Sequence, residues 1–447
     1  MARNAVTQRY LDEITRRGLG ADELAAVAHS AYDLKPTCYR GQCLSRPAFV
    51  STAERQTLEL DLRQLHSALA AIPDRFFGGD LAAFARAAGM TDIQIAAVQR
   101  GPGDAPARVA RGDMYHDGTA FRLMELNLGS SIGGFDNAVL NRLFLKHPFL
   151  AEFAAANHLD HGDPMRQLAE LLRAEGQAQG AEQPLIGVVD WPESYQNLEA
   201  VFEHGCGLLA DLGLETIHGH LGQLAFHHGR VWLHDRPIDA IYRIFLIEDL
   251  LAPEGPGLID PVLGAAERGE VRIWTPMDIE LYGSKAALTM LSDEANRDRL
   301  TAEELASLDR LLPWTRMVRD GQVTADGEQV DLMEYALAQR EELVLKPTMM
   351  HGGIGVVLGW MVDQDQWRAS VSAAIDGPYV LQRRIHAVPE LVPTADGLTP
   401  HLFNWVVYLF PDGYGGAAVR GTSDLSGGVL SARHGAVLGC TFYERTP

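Results

Sequence analysis

Along residues 111–134 apolar and polar side chains alternate, with a turn signal at Asp117-Gly118. Alternation with period two predicts half-buried strands, and Asp-Gly between two such runs predicts a hairpin. The first strand carries Asp113 and the return strand reads FRLMELN. Glu125 and Asn127 stand two apart, so both point to one face, and Asp113 can meet them across the turn. Around this hairpin the period changes. Residues 1–30 place apolar positions at helical spacing and predict one or two short helices. Ser51 followed by Glu54 forms a capping box for a helix reaching about Ala71. LAAFARAAGM predicts a helix ending at Gly89, IQIAAVQR at 93–100 a strand, and NAVLNRLF a helix from Asn137 to Phe144.

Residues 161–183 end in a polar Gly/Gln/Glu stretch that reads as a linker. PLIGVVDW, NLEAVFEHGCGLLADLG and ETIHGHL then predict strand, helix and strand, a unit of a parallel sheet. The first turn lacks G-x-G-x-x-G, so it is no dinucleotide fingerprint. LAFHHGRVWLH predicts a hairpin turning at Gly229, and IDAIYRIF a buried strand carrying Asp239 and Arg243. Further on, SKAALTMLSDE sets Lys285 near a helix start, and ELVLKP is a strand delivering Lys346 to the glycine-rich TMMHGGIGVVLGW. YVLQRRI is a strand with Gln382 and Arg383; HLFNWVVYLF and GYGGAAVRGT pair, ending near Arg420.

Composition narrows the class. The 447 residues exceed one ordinary core and predict two or three domains; 47% apolar and 22% charged residues suit a soluble globular chain. The net charge, 38 − 59 = −21, argues against a nucleic-acid surface and requires any phosphate site to concentrate its few cations. No run reaches the roughly 18 apolar residues of a membrane span, and the N-terminus lacks a signal-peptide core. Cys38, Cys43, Cys206 and Cys440 are too few for a disulfide framework and lack zinc-site spacing, so reduced thiols in a cytoplasmic protein are expected.

Asp113, Glu125 and Asn127 offer hard oxygen donors suited to Mg²⁺ bound with nucleotide phosphates. A solvated hairpin edge is the plainer reading, but the flanking Leu and Met make an apolar setting for a charge. Arg111 adds a positive fork, and the Gly129-Ser130-Ser131 turn adds backbone N–H groups for an anion. Gly352, Gly353 and Gly355 after Lys346 suit a phosphate grip; an ordinary hairpin is the alternative. Lys285 alone is a helix-surface lysine. Arg420 reads either as an exposed strand end or as a contact of a transferred phosphate. Five histidines between His218 and His234 have poor zinc spacing and read as hairpin surface or substrate contacts. Asp190-Trp191 reads as a capped turn or a substrate wall.

R-x-D, eleven residues, then E-x-N resembles the metal-binding hairpin of glutathionylspermidine synthase-like, circularly permuted ATP-grasp ligases. Two lysines and a glycine loop must then follow the hairpin, and they do. The resemblance implies an α+β / α/β fold, with permuted ATP-grasp lobes and a small βαβ preATP-grasp-like domain. Residues 1–95 would be a helical region, 96–180 the hairpin-bearing ATP-grasp portion, 181–273 the βαβ domain and 274–447 the nucleotide lobes. It implies ATP on Lys285, Lys346, Gly352, Gly353, Gly355 and Gln382, and Mg²⁺ on Asp113, Glu125 and Asn127. Arg111, Ser130 and Arg420 would act in catalysis. Where relatives carry Glu, this chain has Arg383, which departs from the pattern at the adenine hinge. The implied reaction joins a small-molecule carboxylate to an amine through an acyl phosphate, on an amino-acid, peptide or natural-product substrate. A small-molecule kinase and a non-catalytic nucleotide-binding protein are the alternatives. No amidase domain, nucleic acid or membrane is implied, and the oligomeric state stays open, a homodimer included.

Overall fold

The structure, a computed structural model, describes residues 3–29, 43–101, 109–129, 132–350, 352–431 and 434–445. Its largest sheet joins the two ends of the chain. Ala110–His116 and Phe121–Asn127 form the expected antiparallel hairpin. The hairpin pairs with Gly397–Phe410, and the sheet continues through Gly413–Thr422 and Val437–Glu444 to Ala48–Val50. Residues 401–410 are buried throughout, as a continuous apolar run predicts. Their side chains alternate between two cores: Trp405, Val407 and Leu409 lie in one, Val406, Tyr408 and Phe410 in the other. Helix Thr52–Ala70 packs on the first side, helices Phe135–Phe144 and Pro164–Ala178 on the second.

Helix Thr52–Ala70 starts as expected. Glu54 N donates to Ser51 Oγ at 3.3 Å and Ser51 N donates to Glu54 Oε2 at 2.7 Å. Ser51→Ala is expected to cost about 1 kcal/mol, read as a lower urea midpoint.

A smaller antiparallel sheet orders Thr315–Met317, Tyr379–Arg383, Leu343–Pro347 and Val357–Leu358. Helices Leu332–Ala338 and Gln364–Ala374 cover it through Leu345, Leu381 and the fully buried Trp367. The expected strand–helix–strand unit is present in a third, parallel sheet. Its order is Arg272–Trp274, Ala240–Arg243, Ile186–Asp190 and Thr216–His220, with Pro192–Asp211 as the crossover helix. The hairpin at Gly229 also forms: His227 pairs with Arg230, and His228 and Gly229 take φ of 55° and 69°. Positive φ at both central residues matches the twist of the strands.

One expected strand is a helix. IQIAAVQR belongs to Asp92–Val98, opened by a Thr91–Gln94 capping box. Ile95 and Val98 are buried while Ile93 is exposed, a three-residue spacing that a strand reading overlooks. Cys38 lies outside the described residues; Cys43, Cys206 and Cys440 are free thiols. Among the described residues, no helix is long and apolar enough to cross a membrane.

Candidate active site

In the hairpin Asp113 stands opposite Glu125, and Arg111 opposite Asn127. Positions two apart share a face, so four polar groups gather on one side of the sheet. Between Asp113 and Met114 the register slips, leaving Met124 as the extra residue of a bulge. The Met124 carbonyl accepts a hydrogen bond from Lys346 Nζ at 3.3 Å. Lys346, at the end of Leu343–Pro347, also donates to Gln382 Oε1 at 2.6 Å. Burial pushes its ammonium down to about 8, an effect that the Glu125 charge opposes and Lys285 reinforces.

Lys285 opens helix Lys285–Ser292, whose N-cap is Ser284. Its Nζ lies 3.3 Å from Glu125 Oε2 and donates to Met350 O at 2.9 Å. A helix start and a strand end thus deliver both lysines to the hairpin. Gly352 and Gly353 line the cleft at φ of 66° and 80°. Gly355 leaves room for the Pro347 ring, which a Cβ would meet at 2.8 Å. Arg383 is turned towards Asp326 at 2.8 and 2.9 Å and Tyr335 Oη at 2.8 Å.

Arg420 Nη1 donates to Asp113 Oδ2 at 3.1 Å and to Asn404 Oδ1 at 3.0 Å. Arg111 Nε holds the other oxygen of Asp113 at 3.1 Å. Asp113 therefore sits between two guanidiniums, and Arg420 is a wall residue of the cleft. Sequence reasoning misses Asn404, a lone amide within HLFNWVVYLF; a polar group inside a buried run must find hydrogen bonds. Asn404 is fully buried, and its Nδ2 donates to Met114 O at 3.4 Å. Asn404→Ala is expected to destabilise the protein by about 1 kcal/mol, measurable as a shift in the denaturant midpoint.

The cleft has a volume of about 1360 Å³ and is lined by Asp113, Glu125, Lys285, Lys346, Gln382 and Arg420. A second cavity of about 180 Å³ adjoins it; Arg111 and Lys285 line both, Asn127 only the smaller. Ser130 lies outside the described residues. Asp190 Oδ1 accepts from Trp191 N at 2.8 Å, the geometry of a capped turn. His218 Nδ1 meets Tyr195 Oη at 2.9 Å, and His234 Nε2 meets the His218 carbonyl at 2.9 Å. Neither histidine lines the cleft.

Among the described residues, no group of three or more His, Cys, Asp or Glu is placed to hold a metal ion. The hairpin instead offers two facing carboxylates and an amide two residues on. Such hard oxygen donors fit Mg²⁺ sharing its coordination with phosphate oxygens, rather than a closed protein cage.

Two solved structures are similar to the chain over most of its length. A glutathione synthetase-like effector from Globodera pallida, in its apo form, aligns with TM-score 0.57 and 10% identity over 89% of each chain. A provisionally named gamma-glutamylcysteine synthetase from Methylobacillus flagellatus KT aligns with TM-score 0.42 and 16% identity, over 85% of this chain and 86% of its own. The first likeness shows a shared mixed α/β, glutathione synthetase-like fold. No protein-family model matches the chain, and no curated protein does.

Proposed function

We propose that the protein is an ATP- and Mg²⁺-dependent carboxylate–amine ligase of the ATP-grasp type, releasing ADP. One observation carries the reading: two lysines, from a helix start and a strand end, converge on the acid-bearing hairpin, Lys285 at 3.3 Å from Glu125 and Lys346 on the Met124 carbonyl. The shared fold supports it at a coarser level. A permuted ATP-grasp order is supported by the chain sequence of pieces, since the hairpin precedes both lysines yet pairs with residues 397–410.

Lys346 and Lys285 would neutralise nucleotide phosphates, and Gly352 and Gly353 would bring backbone N–H groups to them. Asp113, Glu125 and Asn127 would hold Mg²⁺, which when bound supplies charge neutralisation at the transferring phosphate. A substrate carboxylate oxygen bonds to the γ-phosphorus as the bond to ADP breaks. An amine nitrogen then bonds to the acyl carbon, inorganic phosphate leaves, and the amine gives up a proton. Arg111 and Arg420, already fixed on Asp113, would face the anionic oxygens.

The test is ADP release with Mg²⁺-ATP across a panel of carboxylates and amines, followed by hydroxylamine trapping. Carboxylate-dependent hydroxamate is the expected product. ADP release with phosphorylated product and no hydroxamate would indicate a kinase instead; no ATP binding would overturn both.

A further inference from the structure

We propose that the smaller cavity is the acceptor site, and that it takes a small primary ammonium compound held by Glu280. This rests on the ligase reading and adds the class of amine. The cavity holds about 180 Å³, below the roughly 300–1,000 Å³ of pockets for drug-sized ligands and enough for about six water-sized groups. Arg111 and Lys285 line both it and the cleft. An amine seated in it would reach the acyl group from the side away from most of the cleft.

Glu280 is the acid on the wall of this cavity. It is 5% exposed, and its Oε1 accepts from Arg243 Nη2 at 2.7 Å. Arg243 is fully buried and its remaining donors go to Thr275 O, Phe245 O and Thr275 Oγ1 at 2.6, 2.6 and 3.3 Å. That frame fixes the carboxylate in place. Its second oxygen accepts no hydrogen bond among the described residues and is not sealed from solvent, so it is open to a partner. Thr348, on the same wall and 1% exposed, likewise has a hydroxyl with no partner among the described residues. An ammonium, with three donors and no acceptor, complements such a wall.

Glu248 has its carboxyl pushed up to about 7 by burial and then by the Glu280 charge. Gly129 abuts the carboxylate: a Cβ there would lie 2.8 Å from Glu280 Oε1 and 2.9 Å from Oε2. A side chain at that position would close the slot, so the site needs glycine for space.

The experiment titrates the full chain, loaded with Mg²⁺ and a non-hydrolysable ATP analogue, with ethylammonium, glycine and tryptophan, followed by ligand-observed NMR. Ethylammonium or glycine should bind and tryptophan should not; ethylammonium binding without glycine would identify a simple amine, the converse an amino acid. Glu280→Gln should weaken that binding at least tenfold while leaving analogue affinity unchanged. Because Glu280→Gln also disturbs Arg243, Gly129→Ala gives a second route, with the same loss expected from steric blockage. Analogue binding without any small-amine binding, or amine binding untouched by both variants, would overturn the site alone. Absence of analogue binding would overturn the ligase reading and this site together.

Discussion

Glu125→Gln is expected to lower Mg²⁺-dependent ADP release about a thousandfold. The substitution keeps size and strand propensity, so the Asp113–Glu125 pairing of the hairpin survives. What disappears is one of two facing anionic oxygen donors. Metal-assisted phosphoryl transfer draws several kcal/mol from such charge neutralisation, and about 4 kcal/mol corresponds to three powers of ten. Lys285, 3.3 Å from the carboxylate, also loses its ion-pair partner. Its ammonium stays in the cleft, so nucleotide affinity without metal should change little. Turnover and affinity therefore separate. The check is steady-state ADP release beside nucleotide titration with and without Mg²⁺; turnover within tenfold of the parent would remove the carboxylate from the proposed chemistry.

The hairpin was legible because everything it needs is local: a period of two, an Asp-Gly turn and an acid two residues from an amide. Lys346 was legible by its place at a strand end before a glycine loop; Lys285, an ordinary helix-surface lysine by position, is in fact buried, and only the family resemblance pointed to it. What joins these pieces was not. The bulge that turns the Met124 carbonyl to Lys346 depends on how two strands register, and nothing in FRLMELN announces it. Arg420 is held by Asp113 across 307 positions of sequence, so its reading as a strand-end residue could not be separated from its role in the wall. Asp92–Val98 was misread because five small or apolar residues in a short run satisfy either period; the Thr91 cap decides it. The smaller cavity also needed a long-range convergence, with Gly129, Arg243 and Glu280 drawn from three segments. The chain's charge of −21 makes that convergence informative. In so acidic a protein, Arg111, Lys285, Lys346 and Arg420 lining one cleft form a local reversal of sign, suited to an anion.

Lys346 sets the final expectation, because its charge is conditional. Burial holds its ammonium at about 8 in the unliganded protein, against about 10.4 in an unfolded chain. Nucleotide phosphates would favour the charged form, so binding above pH 8 must take up a proton. Affinity for ATP should therefore be level below about pH 8 and fall towards tenfold per pH unit above it. The stability of the unliganded protein moves the other way. Between about 8 and the unfolded value the unfolded chain binds more protons at this residue, so the penalty for holding the ammonium buried, fully present below 8, is relieved as pH rises. Lys346→Met removes the proton altogether. A charge-assisted contact to phosphate of about 1.5–3 kcal/mol makes the expected loss of ATP affinity up to about a hundredfold at pH 7. The fall in affinity above pH 8 should vanish with it. Calorimetric titrations from pH 6.5 to 9.5 on both proteins measure this directly. A parent affinity flat to pH 9.5, or a variant that keeps the parent's slope, would place the titrating group elsewhere and leave Lys346 as a structural strand end, its hydrogen bond to Gln382 serving the sheet rather than a ligand.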